Sequence, residues 1–151
     1  MSLFHQRHRL AQGGHHRGAR GLVFQVVQRF VKRFGPRRAV VTNAVKCVPP
    51  QNKPDRLEIK RCNRYLRSEL EILKPGTCLL ALGHIAHRAV LSALECKAAN
   101  FPFRHGARYC LPRGLALYDS YHCSRYNTQT RRLTEAMFHQ VFVAIARDLG
   151  K

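Results

Sequence analysis

One stretch, from Val40 to Leu66, constrains the fold most, because it passes from a strand pattern to a helix pattern across a proline-rich loop. The run Ala39-Val40-Val41-Thr42 is apolar and β-branched, which is typical of a strand buried in a parallel sheet. Pro49-Pro50 must end that strand, since neither residue can donate to a strand ladder. Further on, apolar side chains recur at helical spacing and form one stripe: Ile59, Cys62, Leu66, Leu70 and Leu73.

Strand and helix patterns also alternate in the rest of the chain. Further strands are predicted over Thr77–Leu82 and Leu115–Tyr118, and helices from His84 to about Glu95 and from Leu133 to Ile145. The segment from Phe101 to Gly106 is predicted to be an irregular connection. This alternation predicts an α/β fold with three layers, α/β/α, around a short parallel sheet.

Several side chains with chemical potential follow the predicted strands. Asn43 and Cys47 come after the first strand, His84 after the second and His122 after the third, while Cys62 lies on the inner stripe of the first helix. Open α/β sheets bind ligands beyond the carboxyl ends of their strands. The predicted topology therefore brings these residues towards one cleft. Taken alone, a histidine after a strand is more often a packed or surface residue than a catalytic one, and Asn43 is equally explained as a turn residue.

The charge of the chain favours nucleic acid as its partner. The formal net charge is +19 over 151 residues, and a field of that sign attracts polyanions. A merely basic soluble surface, a ribosome-like protein and a membrane-surface protein remain alternatives on charge alone. No apolar run is long enough to span a bilayer, and the six cysteines lack close pairing, which indicates a reducing compartment. Cys78, Cys96 and Cys110 are expected to pack in the core.

Residues 1–38 differ in composition from the remainder of the chain. They contain no acidic residue, which predicts a partly disordered basic segment with one amphipathic helix ended by Gly35-Pro36. That helix is interpreted as the first helix of the fold, an arm that contacts phosphate, or a membrane-surface helix. Residues 39–151 form the predicted globular domain.

Motifs in this domain resemble the iron–sulfur uracil-DNA glycosylases of families 4 and 5. The final motif, Ser120-Tyr121-His122-Cys123-Ser124-Arg125-Tyr126-Asn127-Thr128, resembles family 5 in particular. The other motifs lie in the family's order: Thr42 to Pro50, Asn52-Lys53-Pro54, Cys62, Leu80-Ala81-Leu82-Gly83, Phe103, and His105-Gly106-Ala107. The resemblance implies a glycosylase fold with four central strands, the first of which is apparently missing from this chain.

The resemblance also implies roles for individual residues. His122 would stabilise the departing uracil anion, and Asn43 would read or orient uracil. A loop of four residues would press into the duplex where the base has left: Ser124, Arg125, Tyr126 and Asn127. On residue types alone, this loop is equally an ordinary solvated one. The family usually has glycine where Arg131 stands, and this departure is expected to alter the exit of the loop.

Two cysteines match the second half of a family ligand set for a [4Fe–4S] cluster, namely Cys47 and Cys62. Such a cluster needs four thiolates, and no cysteine precedes Val40, so we expect an incomplete set in the chain as written. Zinc held by two thiolates and a histidine is an alternative, although the spacing is not that of a finger.

The family's first strand, its water-positioning motif and a nearby aspartate also have no counterpart before Val40. Our hypothesis is that residues 1–38 reflect a shifted reading frame or a false start. The sequence thus predicts a uracil-DNA glycosylase acting on uracil, or on other deaminated bases, in single- or double-stranded DNA during base-excision repair. We expect a monomer in the cytoplasm of a bacterium or archaeon, associated with the nucleoid and not with a membrane. The alternatives are a truncated, non-catalytic nucleic-acid-binding remnant of the fold and a basic RNA-binding protein unrelated to repair.

Overall fold

The computed structural model describes Thr42, Ala44 and residues 56–150. The segment 1–38, most of the first predicted strand, Asn43 and Cys47 lie outside the described residues. The described elements, in chain order, are helix α1 (Arg56–Glu71), strand β1 (Cys78–Leu82), helix α2 (His84–Ala93), strands β2 (Arg108–Leu111) and β3 (Leu115–Ser120), and helices α3 (Arg125–Gln129) and α4 (Glu135–Asp148).

The described strands form a mixed sheet in the order β1-β3-β2. Strands β1 and β3 are parallel, as the sequence predicted, and Leu82 lies opposite Ser120. Strand β2 is antiparallel to β3, with Arg108 opposite Tyr118, so the prediction of a purely parallel sheet is wrong. The sequence analysis missed β2 because it spans only four residues and lies at the sheet edge, where two of its side chains are exposed.

Alternate residues of β3 face different helix layers, as the period of two requires. Leu115 and Leu117 are buried in one cluster with residues of α1 and α2. Tyr118 lies on the opposite face, where it packs with Val141 and Ile145 of α4. Helices therefore cover both faces of the sheet, and the predicted three-layer α/β/α arrangement is confirmed for the described part of the chain.

Three residues of the predicted inner stripe of α1 are buried, while Leu73 is half-buried and the Ile59 side chain lies outside the described residues. Cys62, Leu66 and Leu70 are all less than 9% exposed. Asn63 is also buried, and its side-chain amide donates to the carbonyl of Ala89 in α2 at 2.8 Å. This bond satisfies a buried polar group and fixes α1 against α2.

Of the three cysteines predicted to pack in the core, two do so and one does not. Cys78 and Cys96 are half-buried against the core, as predicted, and burial raises the pKa of both thiols. Cys110 is exposed, so that prediction is wrong. The reason is its place in edge strand β2, where Cys110 alternates with the inward-facing Tyr109 and Leu111.

The predicted terminal helix α4 is confirmed, and Thr134 caps it. The Thr134 hydroxyl accepts a hydrogen bond from the Met137 amide at 3.2 Å, which is the usual N-cap interaction. The buried face of α4 consists of Phe138, Val141, Phe142 and Ile145.

Arg113 holds the carboxyl end of α1 from the turn between β2 and β3. Its guanidinium donates to the carbonyls of Leu70 at 3.1 Å, Glu71 at 2.7 Å and Leu73 at 3.2 Å. The carbonyls of Leu70 and Glu71 belong to the last turn of α1, and that of Leu73 lies just after it. The Leu70 carbonyl also accepts a hydrogen bond from the Leu73 amide at 3.2 Å, and a cation at this end complements the helix dipole.

Arg113→Ala is therefore expected to lower the free energy of unfolding by about 1–2 kcal/mol. Chemical denaturation measures this loss. Arg113→Gly is the control, because Arg113 has a φ of 65° and glycine relieves that backbone strain while still losing the three bonds. The glycine variant should thus be the more stable of the two, and an alanine variant as stable as the parent protein would contradict the capping role.

Candidate functional site

The carboxyl ends of β1 and β3 meet at Gly83. The Gly83 amide donates to the Ser120 carbonyl at 2.8 Å, which extends the pairing of the two strands by one residue. Gly83 has a φ of 93°, and a Cβ placed on it would lie 3.0 Å from the Cβ of His122. Both the backbone conformation and the close approach of His122 require glycine here. Gly83 thereby sets His122 against the start of α2.

The backbone of His122 is fixed by a hydrogen bond, whereas its imidazole ring is exposed. Its carbonyl accepts a hydrogen bond from the Asn127 side-chain amide at 2.8 Å. The imidazole is exposed and makes no hydrogen bond within the part of the chain that the structure describes. The ring is therefore available to a ligand at the carboxyl edge of the sheet.

The loop after His122 contains a short helix, α3, that the sequence analysis did not predict. Ser124 caps this helix, because its hydroxyl accepts from the Asn127 amide at 3.3 Å. The Asn127 carbonyl accepts from the Leu133 amide at 3.0 Å. Arg125 and Tyr126 point outward, with Tyr126 69% exposed. Ser124 and Asn127 thus build the loop, while Arg125 and Tyr126 are presented to solvent.

A row of rings lies at the same end of the sheet as His122, and we call it the aromatic row: His84, Phe103, Tyr121 and His105. The Phe103 ring centroid lies 5.4 Å from that of His84 and 6.2 Å from that of Tyr121. His105 stacks on Tyr121 at 5.0 Å and 19°. The guanidinium of Arg132 covers the Tyr121 ring at 4.8 Å from its centroid. These rings supply the kind of surface on which a base can stack.

His105 is fixed in its neutral form by its contacts. Its Nδ1 accepts a hydrogen bond from the Tyr121 amide at 3.2 Å, which an imidazolium could not do. Burial lowers the pKa of His105, in agreement with that geometry. His105 therefore acts as a rigid, uncharged neighbour of Tyr121.

Behind this edge lies a buried pair that the sequence analysis missed, His87 and Asp119. His87 Nδ1 lies 2.8 Å from Asp119 Oδ1, and the two side chains are 2% and 0% exposed. His87 Nε2 lies 2.8 Å from the carbonyl of Phe101. The available signal was a carboxylate inside the apolar run of β3, together with a histidine one turn into α2.

The hydrogen bonds of this pair define its protonation. The Phe101 carbonyl can only accept, so Nε2 of His87 carries a proton, and a single proton is shared between Nδ1 and Asp119. Burial raises the pKa of Asp119, while the hydrogen bond with His87 opposes that shift. The second carboxylate oxygen, Oδ2, has no hydrogen-bond partner among the described residues, which also disfavours the charged form.

The pair anchors the segment that carries Phe103. Besides the bond from His87 to the Phe101 carbonyl, the Gly106 amide donates to the Asp119 carbonyl at 2.8 Å. The Asp119 amide donates to the Ala107 carbonyl at 3.0 Å. Both ends of the Phe101–Ala107 segment are thus fixed to the core of the protein, and Phe103 lies between them.

Around the end of the first predicted strand, the structure describes only Thr42 and Ala44, the two residues that flank Asn43. Asn43 and Cys47 themselves lie outside the described residues. The Thr42 hydroxyl donates to Glu69 of α1 at 2.8 Å, and Ala44 packs against the core cluster. Within the ranges described, no group of three or more histidine, cysteine or acidic residues is placed to hold a metal ion.

The opposite edge of the sheet carries a separate cleft of about 300 Å³. Arg108 lines it and forms an ion pair with Asp148 at 2.5 Å. Cys78, Cys110 and Gly114 also line this cleft, far along the strands from His122. None of the helices in the described ranges combines the length and the apolar character needed to cross a membrane.

Comparison with known proteins decides the family of this chain. The family model described as the uracil DNA glycosylase superfamily matches residues 9–146. The chain belongs to this superfamily. Its fold, with a small sheet between helix layers, agrees with that membership, and the resemblance seen in the sequence motifs is confirmed.

Curated relatives of this chain carry type-5 and type-4 names. A type-5 uracil-DNA glycosylase of Thermus thermophilus is 46% identical over 110 residues, which cover 73% of this chain and 50% of that protein. A type-5 enzyme of Pyrobaculum aerophilum is 41% identical over 110 residues, covering 73% and 47%. A type-4 enzyme of the same organism is 37% identical over 81 residues, covering 52% and 41%. The chain thus spans about half the length of the curated type-5 relatives it matches.

Proposed function

We propose that this protein is a uracil-DNA glycosylase of the type-5 kind, which hydrolyses the bond between uracil and deoxyribose in base-excision repair. The observation that carries this proposal is His122, whose open imidazole stands beside Gly83 at the carboxyl edge of the sheet. The proposal extends to other deaminated bases and to single- and double-stranded DNA. It also includes a monomeric protein in the cytoplasm, associated with the nucleoid.

His122 is proposed to stabilise the leaving base. Cleavage of the glycosidic bond leaves negative charge on a pyrimidine oxygen, and a donor aimed at that oxygen stabilises the transition state more than the bound substrate. An exposed ring on a fixed backbone meets this requirement. Because Asn127 donates to the His122 carbonyl, we assign Asn127 the role of positioning His122.

The aromatic row and the α3 loop are proposed to hold the DNA. A flipped base is usually held by stacking against aromatic side chains, and Phe103 contacts Tyr121, the residue directly before His122. Arg125 and Tyr126 are proposed to contact the DNA backbone and bases, since both are exposed. Ser124 supports them as the cap of α3. Asn43 is proposed to read the edge of uracil.

Release of free uracil from DNA tests the proposed function. A duplex with one uracil opposite guanine should yield free uracil and an abasic site that breaks in alkali, while the same duplex with thymine stays intact. Chromatography of the released base measures the reaction. DNA binding without uracil release would contradict the proposal and would identify a non-catalytic nucleic-acid-binding remnant.

The cluster implied by the family resemblance requires four thiolates, and the described residues do not fit it. Cys62 is buried in α1, and the other described cysteines lie on separate elements: Cys78, Cys96, Cys110 and Cys123. We retain Cys47 and Cys62 as a proposed half set, and outside the described residues the chain has no cysteine besides Cys47 that could complete it. No step of the proposed reaction depends on the cluster.

The chain as printed is accordingly expected to bind no stable [4Fe–4S] cluster. After anaerobic purification and reconstitution with iron and sulfide, its visible spectrum should lack the broad shoulder typical of such clusters. Cys62→Ser is the matched control and should leave the spectrum unchanged. A shoulder that is present in the parent chain and lost in Cys62→Ser would contradict this expectation.

A further inference from the structure

Three residues other than glycine have positive φ in the described part of the chain: Glu95 at 57°, Arg113 at 65° and Arg131 at 55°. Side chains other than glycine rarely adopt this left-handed region, because the Cβ approaches the following carbonyl. Such strain persists only where surrounding interactions stabilise it, and it concentrates at functional positions. Each of the three residues therefore needs a compensating interaction.

Two of the three have one within the protein. The Glu95 carboxylate forms an ion pair with Arg67 at 2.8 Å. The Arg113 guanidinium donates to carbonyls at the end of α1, at distances between 2.7 and 3.2 Å. At these two positions the side chain makes an interaction that glycine could not make.

Arg131 has no such reason among the described residues. Its backbone amide donates to the Thr128 carbonyl at 3.3 Å, a bond that glycine would make equally well. Its side chain is exposed and has no hydrogen bond, ion pair or ring contact within the described ranges. For the folded protein alone, glycine would be the better residue at this position.

The surroundings of Arg131 indicate an anionic partner. No acidic residue occurs from Ser120 to Thr134, and this segment contains Arg125, Arg131 and Arg132. Arg132 lies over the ring of Tyr121, the residue directly before His122. Arg131 is thus a free guanidinium on the loop that borders the candidate site, in a chain with net charge +19. A phosphodiester backbone has the charge and the acceptor geometry that such a guanidinium binds.

We propose that Arg131 is a DNA-phosphate contact of this protein, and that DNA binding, not stability of the fold, accounts for an arginine at this left-handed position. The proposal rests on the proposed function in one respect, namely that DNA is the partner. It adds a binding residue to the outward-facing Arg125 and Tyr126. It also separates stability from binding at one position, because the same residue should weaken the fold and strengthen the complex.

Arg131→Gly tests this proposal with two measurements on the full chain. Relief of the strained backbone should raise the melting temperature by a few degrees. The affinity for a duplex containing uracil should fall roughly fivefold at low salt. The slope of log K against log salt should become shallower by about one, because one phosphate contact is lost. Arg131→Lys should keep most of the salt slope, since it keeps the charge.

Arg113→Gly is the matched control, since it removes an equal charge from the other left-handed arginine. It should lower the melting temperature and leave the salt slope unchanged. If Arg131→Gly binds DNA with the parent affinity and slope while the parent binds in a salt-dependent way, the inference fails and the proposed function stands. If the parent chain itself shows no salt-dependent affinity for DNA, both fail.

Discussion

His122→Ala is expected to lower the single-turnover rate of uracil release by roughly a hundredfold or more. The reason is the loss of the exposed imidazole that approaches Gly83 at the carboxyl edge of the sheet. Affinity for DNA containing uracil should change little, because the interaction strengthens mainly in the transition state. Rapid-quench kinetics with enzyme in excess measures the rate, and fluorescence anisotropy measures the affinity.

In the same assay, Asn127→Ala tests whether the position of His122 matters independently of its imidazole. It keeps the imidazole but removes the 2.8 Å bond to the His122 carbonyl, so we expect a loss of about tenfold in rate with unchanged affinity. Thermal melting of both variants excludes unfolding as the cause. A folded His122→Ala protein that releases uracil at the parent rate would remove His122 from the active site.

Asp119→Ala is expected to cost about 3 kcal/mol of stability. It leaves a cavity and a buried His87 without its partner at Nδ1. Asp119→Asn should cost far less, because the asparagine side chain fills the same space and keeps a hydrogen-bonding group opposite Nδ1 of His87. Denaturant unfolding at neutral pH compares the two variants, and equal losses would contradict a stabilising role of this hydrogen bond.

The pH dependence of stability provides an independent check on this pair. The pKa of Asp119 is raised by burial, so its contribution is fully present below the usual pKa of 3.8 and is lost as pH rises through the folded value. Asp119→Asn should remove that loss. Asp148 is the control with opposite sign, because hydrogen bonds from Tyr118 and Arg108 lower its pKa and its contribution disappears on acidification.

The sequence predicted the parts of the fold that have long, regular patterns. The stripe of Cys62, Leu66 and Leu70 identified α1, and the apolar runs identified β1 and β3. Strand β2 was not predicted because it has only four residues and one exposed face. Helix α3 was not predicted because its five residues are polar and its formation depends on the Ser124 cap.

Of the candidate site, only the residues that follow a predicted strand could be predicted from the sequence. Topology placed His122 and His84 at one edge, and the structure has both there. Periodicity gave no sign of the bond between His87 and Asp119, which are 32 residues apart and meet only when α2 packs on β3. Likewise, the inward turn of Asn127 follows from the geometry of α3 rather than from residue type.

Uracil is expected to bind at the carboxyl edge of β1 and β3, beside His122. The most direct measurement is NMR of the isotope-labelled protein with a duplex that contains a single cleavage-resistant 2′-fluorodeoxyuridine, compared with the matching thymine duplex. The amide shifts that differ between the two duplexes should concentrate at Gly83, Tyr121 and His122. Differences that concentrate instead at Cys110 and Gly114, in the cleft at the opposite edge, would contradict binding beside His122.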